Sequence, residues 1–168
     1  MKISSVDLSK ITTYRFGGVC NNFIELESKE DLSKLSETVL GKENIIIGKG
    51  SNLAFSDKEF QGNVISPKFT SIEEKSETEI TVGASVFLPD LSRYFKENVY
   101  SNGEFLIGIP GTVGGAVKMN AGAYDWEFSD LIQYIECFDL NTSSEIKLTK
   151  NDINFSYRSS QHLDNKII

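Results

Sequence analysis

The segment Gly108-Ile109-Pro110-Gly111-Thr112-Val113-Gly114-Gly115-Ala116-Val117-Lys118-Met119-Asn120-Ala121-Gly122-Ala123-Tyr124 holds five of the chain's 13 glycines, set between apolar residues. One tight turn uses fewer, so the spacing predicts a surface that backbone or ligand approaches closely. Pro110-Gly111-Thr112 reads as the opening of a short helix, with Thr112 as N-cap. Its free N–H groups and positive dipole end would face a bound diphosphate. Asn120 adds a side-chain amide with reach to a ligand edge or to an adjacent turn. A glycine-packed crossover that holds no ligand is the alternative.

Upstream, Ile45-Ile46-Ile47-Gly48-Lys49-Gly50-Ser51-Asn52-Leu53 runs a β-branched strand into a glycine-spaced loop with small polar residues. Such a loop turns successive N–H groups toward one anion and suits a pyrophosphate. A dinucleotide fingerprint of the Rossmann kind is disfavoured: Leu53 stands where the last glycine belongs, and Leu53-Ala54-Phe55-Ser56-Asp57 shows no helical face. An ordinary tight turn is the competing reading of the bare pattern. Phe23 to Glu27 reads as a strand, and Ser28 as the N-cap of a helix that places Leu32, Leu35 and Val39 on one face. With Asn44 to Ile47 as the next strand, the opening is β-α-β.

Gly62 to Ile65 and Glu79 to Val82 are further strands, separated by a polar segment around Glu73, Glu74 and Lys75 that reads as a solvated turn. A helix beginning near Val86 carries Pro89 in its first turn and Leu88, Leu91 and Phe95 on one side. Asn102-Gly103 follows as a turn. Beyond the glycine-rich segment, Leu131 to Leu140 is predicted as a long strand, paired with Glu145 to Leu148 across Asn141-Thr142-Ser143-Ser144. The class is α+β, in two lobes joined near residues 66 to 80.

Composition narrows the partners. A chain of 168 residues has enough length for a core, and its 17 basic against 24 acidic residues give a formal charge of −7 with no basic stripe. No nucleic acid is expected. No run of about 18 apolar residues suggests a membrane span, and the amino terminus lacks a secretion signal, so the expected location is cytoplasmic. Cys20 and Cys137 lack metal-ligand spacing and read as reduced packing residues; no metal is expected. His162, the only histidine, reads as a surface residue, and Trp126, Tyr94 and Phe95 as packing. Phe155-Ser156-Tyr157-Arg158-Ser159-Ser160 joins an aromatic, a guanidinium and hydroxyls in a polar turn. The planar, permanently charged fork of Arg158 suits a carboxylate or a developing enolate.

Taken in order, Thr12-Thr13-Tyr14-Arg15-Phe16-Gly17-Gly18, Gly48 to Leu53, Phe105 to Tyr124 and Phe155 to Ser159 resemble the UDP-N-acetylenolpyruvoylglucosamine reductase (MurB) family over nearly the whole chain. The resemblance implies a two-lobed FAD-binding fold of the vanillyl-alcohol oxidase (PCMH) type, with lobes at residues 1–68 and 69–168. It implies that Gly48, Lys49, Gly50, Ser51, Asn52 and Leu53 wrap the FAD pyrophosphate, and that Gly111, Thr112, Gly114, Gly115, Asn120 and Gly122 line the cofactor. The implied reaction reduces UDP-N-acetylglucosamine enolpyruvate to UDP-N-acetylmuramate for peptidoglycan, with NADPH as hydride donor. Arg158 is the implied catalytic residue, and Tyr157 with Arg158 the implied contact to the substrate. The family's third domain, with its serine proton donor and glutamate, lies outside this sequence. The expectation is therefore an FAD-binding portion whose last strand begins near Lys166, with an exposed sheet edge prone to self-association and a second chain as the partner completing it. A flavin-binding module without turnover is the alternative.

Overall fold

The computed structural model describes residues 1–39 and 41–168. Strand β1 (Lys2–Asp7) pairs antiparallel with β2 (Val19–Leu26); helix α1 (Glu30–Val39) follows, and β3 (Asn44–Ile46) and β4 (Asn63–Pro67) complete a sheet in the order β1-β2-β4-β3. β4 runs parallel to both neighbours, with Val64 opposite Phe23 on one side and Ile45 on the other. All of β4 is buried, as a central parallel strand covered on both faces must be. The period of two along the strands, offset in β2 by a bulge between Cys20 and Phe23, divides the core. Ile24, Leu26 and Ile65 face Leu32, Leu35 and Val39 of α1, while Phe23, Cys20 and Val64 pack with Leu8 and Ile47 on the opposite side. The β-α-β opening is as expected, and β1 is an addition to it.

Residues 70–100 hold the hairpin β5 (Ile72–Glu74) and β6 (Ile80–Val82), then helix α2 (Leu88–Glu97). The solvated turn expected around Glu73, Glu74 and Lys75 is corrected: Glu73 lies opposite Thr81 and Glu74 opposite Ile80 in a ladder, and the turn begins only at Lys75. Ile72, Ile80 and Val82 pack on the core from one face of the hairpin, Glu73 stands on the opposite, wet face, and Glu74, at the open end, stays exposed and accepts the Tyr94 hydroxyl at 3.0 Å. In α2, Pro89 occupies the first turn and Leu88 and Leu91 are buried, where a proline's missing N–H costs nothing.

Helix α3 (Val113–Met119) and the hairpin β7 (Gly122–Ala123) with β8 (Trp126–Glu127) come next. The hairpin turns on Tyr124 (φ 53) and Asp125 (φ 67), the two positive φ angles of the turn whose twist matches paired strands. Trp126, expected in packing, is 42% exposed on this hairpin.

Strand β9 (Tyr134–Asp139) is shorter than the Leu131–Leu140 strand expected from sequence. Phe128–Asp130 forms a 3-10 turn: the Asp130 carboxylate accepts the Glu127 N–H, and the Leu131 N–H bonds the Phe128 carbonyl. Those local bonds consume donors that a ladder would need. β10 (Ser144–Thr149) pairs with β9 as expected. The small hairpin β11 (Phe155–Ser156) and β12 (Ser159–Ser160) precedes β13 (Lys166–Ile167), which pairs antiparallel with the free side of β9, so the sheet order is β10-β9-β13.

The two halves share apolar packing. One core lies beneath α2, α3 and β9, built from Leu88, Leu91, Phe105, Leu106, Val117, Ile135 and Ile153 among others. The α1 core is closed from the other end of the chain by Phe138, Leu140 and Ile167. Among the described residues, no helix is long and apolar enough to cross a membrane.

Candidate functional site

The loop that leaves β3 is pinned from two directions. Gly50 accepts the Thr13 N–H at 3.0 Å through its carbonyl, and with φ +66 it lies so close to the Ile11 carbonyl that a Cβ there would collide. Ser51 Oγ donates to the Pro110 carbonyl at 2.9 Å. The two glycine-rich segments, far apart in sequence, are thereby held edge to edge. Between them runs a groove of about 390 Å³ lined by Thr13, Lys49, Ser51, Phe87, Asp90, Pro110 and Gly111.

The second wall is fixed by backbone. Phe87 bridges Thr112, Leu88 donates to the Gly111 carbonyl at 3.0 Å, Val113 to Val86 at 3.0 Å, and the Gly114 N–H to Ala84 at 2.8 Å. Thr112 is the extended N-cap residue of α3, as expected, though its hydroxyl makes no capping bond. The expected pair of a glycine-spaced loop and a short helix start is therefore assembled around one groove.

The glycines divide by what surrounds them. A Cβ on Gly48 would strike the Thr112 side chain, one on Gly114 would come within 3.1 Å of the Ala84 Cβ, and one on Gly122 would strike the Trp126 carbonyl. Close approach of protein to protein accounts for these, as for Gly50. Gly115 differs: it is exposed, and a Cβ there meets only Thr112 Oγ1 at 3.7 Å. Gly111, at φ +141, would place a Cβ 3.2 Å from Ser51 Oγ at the groove lining. Gly115 leaves bare backbone where a ligand can approach, and Gly111, itself buried, lines the groove without a side chain to fill it; a flat or phosphorylated group fits that cradle. Leu53 packs into the core beside Leu8, while Lys49 and Asn52 are exposed.

Arg158 lies at the tip of the β11–β12 hairpin with φ +53. Its Nη2 donates to the Gly122 carbonyl at 2.7 Å and its Nη1 to the Asn120 carbonyl at 3.4 Å, and its guanidinium carbon lies 4.7 Å from the centre of the Tyr157 ring. Tyr157 is 79% exposed. Asn120 is fully buried in the left-handed conformation (φ 40, ψ 54). Its Nδ2 donates to Glu127 Oε2 at 2.7 Å and to the Ser156 carbonyl at 3.0 Å, and its Oδ1 accepts the Ser129 N–H at 3.1 Å. Of the two roles open to Asn120 in sequence, the amide here serves neighbouring turns.

A larger depression of about 720 Å³, lined by Asp7, Arg15, Asp57 and Glu59 among others, contains neither glycine loop. Its acidic rim suits a diphosphate poorly. Among the described residues no cluster of three or more metal-ligating side chains occurs. Cys20 and Cys137 are buried and free, and burial pushes the Cys137 thiol up to about 11, which keeps it protonated and unreactive.

Residues 21–148 match the family described as FAD binding domain. The chain belongs to that family. Over 161 residues it is 35% identical to the UDP-N-acetylenolpyruvoylglucosamine reductase of Chlamydia felis (strain Fe/C-56), covering 95% of this chain and 54% of the relative. It is 36% identical to the reductase of Rickettsia massiliae (strain Mtu5), covering 96% and 55%. The chain thus spans about half the length of the curated relatives it matches. The crystal structure of UDP-N-acetylenolpyruvylglucosamine reductase (MurB) from Thermus caldophilus superimposes with a TM-score of 0.85 at 30% identity, over 99% of this chain and 59% of that one. CrmK, a flavoenzyme of caerulomycin biosynthesis, shares the fold with a TM-score of 0.60 at 17% identity. The α+β architecture of this FAD-binding chain is that of the vanillyl-alcohol oxidase type, and its resemblance to the MurB reductases holds from end to end.

Phe87, Asp90 and Glu127 belong to the surroundings of the site without having been singled out in sequence. No local signal marks Phe87 and Asp90, which arrive through the Phe87–Thr112 bridge. Glu127 had one: a two-residue turn after Gly122-Ala123 folds it back beside Asn120.

Proposed function

We propose that this chain supplies the FAD-binding part of an FAD-dependent, NADPH-using reductase that converts UDP-N-acetylglucosamine enolpyruvate to UDP-N-acetylmuramate. The observation that carries the reading is the groove between Gly48–Leu53 and Pro110–Thr112, clasped by Ser51 and lined by Gly111 without a side chain to fill it. The reductases named above support the choice of reaction.

In this reading residues 1–68 and 69–168 form the two walls. Gly48 to Leu53 and Gly111 to Gly115 hold the cofactor with backbone N–H groups, which suits an anionic ligand on a chain of net charge −7. When bound, FAD supplies the hydride chemistry. The protein's own contribution is placement and charge. Arg158 binds the substrate carboxylate and stabilises the negative charge that develops beside it, because its fork is planar, cationic and presented at the surface. Tyr157 lies against the guanidinium and limits its rotation.

The purified chain tests this by its visible absorption with added FAD, before and after anaerobic NADPH. Flavin bands that persist through gel filtration and bleach with NADPH are expected. A chain that passes through the column colourless at excess FAD would sink the reading.

A further inference from the structure

Glu127 ends β8 at the meeting point of three segments that otherwise do not touch in sequence. Its Oε2 accepts the Asn120 amide at 2.7 Å, and its Oε1 lies 3.9 Å from Arg158 Nη1. The same Asn120 amide nitrogen reaches the Ser156 carbonyl, two residues before Arg158, at 3.0 Å. Asn120 is fully buried, and both its amide nitrogen and its amide oxygen already have protein partners. The amide is therefore committed to holding the β11–β12 hairpin rather than to a ligand.

The guanidinium depends on that arrangement. Its hydrogen bonds go to the carbonyls of Asn120 and Gly122, the first and third residues after α3. The Nη2 bond to Gly122 is short, but the Nη1 bond to Asn120 is long at 3.4 Å, so the fork is held firmly at one corner only, and a carboxylate on the Nη1 side narrows its remaining rotation. A half-exposed pair at 3.9 Å contributes little by attraction alone. Its leverage comes from the other oxygen, which is fixed by a buried amide that also anchors the hairpin. Displacing either end displaces both.

We propose that Glu127 is the positioning residue for Arg158, acting directly through Oε1 and indirectly through Asn120, so that the remaining N–H donors of the fork face outward to receive a carboxylate. The identity of that carboxylate rests on the reductase reading; the placement of the guanidinium does not.

The chain has only three arginines, Arg15, Arg93 and Arg158, so arginine-selective ¹⁵N labelling of the FAD-loaded chain gives a side-chain Nε–H spectrum simple enough to follow. Arg158 is assigned by the signal lost in R158K. Pyruvate serves as the carboxylate probe. Both E127Q and E127A are expected to shift the Arg158 signal toward that of a solvated guanidinium, speed its hydrogen exchange and weaken pyruvate binding roughly fivefold. E127Q keeps an acceptor for Asn120 in the same volume, so it decides the matter if E127A unfolds. A merely structural glutamate is replaced by glutamine without moving either readout, and wild-type signals and pyruvate midpoints in E127Q would overturn the proposal. Failure of the wild-type chain to retain FAD would instead count against the reductase reading, with the Arg158 signal of the unloaded chain still reporting on placement.

Discussion

Gly115 and Gly111 sit four residues apart in one motif, yet alanine should affect them oppositely. Gly115 lies inside α3, where an added Cβ meets only Thr112 Oγ1 at an ordinary contact distance of 3.7 Å. An alanine there gains helix propensity, and the thermal midpoint of Gly115→Ala should rise by the equivalent of about 0.5–1 kcal/mol. The new methyl group stands on the proposed cofactor surface, so FAD affinity measured by absorbance titration should fall at the same time. Gly111→Ala faces strain as well as crowding, at φ +141 with Ser51 Oγ 3.2 Å from the added carbon. It should lose on the order of 1–3 kcal/mol of stability along with flavin. If Gly115→Ala binds FAD as tightly as the parent chain, its bare backbone serves no cofactor. At this scale the sequence was informative, because glycine clustering records close approach whatever the partner. It did not separate glycines that face protein from those that face a ligand, since that depends on Thr112, Ala84 and Trp126 arriving from elsewhere.

Among the elements, β13 is the most exposed to solution conditions. It is two residues long and joins β9 through a ladder that Lys166 and Asp139 reinforce with a 3.1 Å ion pair. Burial by itself would raise the Asp139 carboxyl, but the Asn141 N–H and then the Lys166 ammonium outweigh it and hold the group below the ordinary aspartate range. A carboxyl lowered on folding contributes stability above its unfolded value of about 3.9 and loses it as pH falls through the lower folded value. Asp139→Asn should therefore be less stable than the parent near neutrality, with the gap closing below about pH 4. Urea midpoints at pH 7 and pH 3 check this; an equal gap at both would deny the pair any such role. Element types were mostly legible from periodicity, as in α1, α2, β9 and β10. The errors have local causes. β1 shows only partial burial with no clean alternation, β5 is three residues long with both its glutamates exposed, and the Leu131 end of β9 is taken by a capped 3-10 turn.

For the molecule as a whole, the shared core sets how it comes apart. Phe138, Leu140 and Ile167 pack with Ile24, Leu26 and Ile65, so the core on the α1 side of the first sheet is closed from the carboxyl half. One cooperative thermal transition is expected, followed alike by far-UV circular dichroism and by tyrosine fluorescence. Leu140→Ala should lower that single midpoint, at a cost of about 2–5 kcal/mol. Two separated transitions would show that the halves are independent. FAD at a hundredfold excess over its dissociation constant should add about 2.7 kcal/mol to the same transition. None of this packing was readable in sequence, where Leu140 looked only like a strand end.

The Ser51–Pro110 clasp spans 59 positions of chain, which sets a timetable for flavin loading during synthesis. Until the ribosome has released the segment through Pro110, the groove has one wall, and closing a loop of that length costs on the order of 3–4 kcal/mol in chain entropy. At roughly 5–20 residues per second, the nascent protein spends several seconds with Gly48 to Leu53 already made and nothing opposite it. Loading of the proposed groove therefore has to wait until the segment through Pro110 has been made, because any shorter nascent chain lacks the second wall.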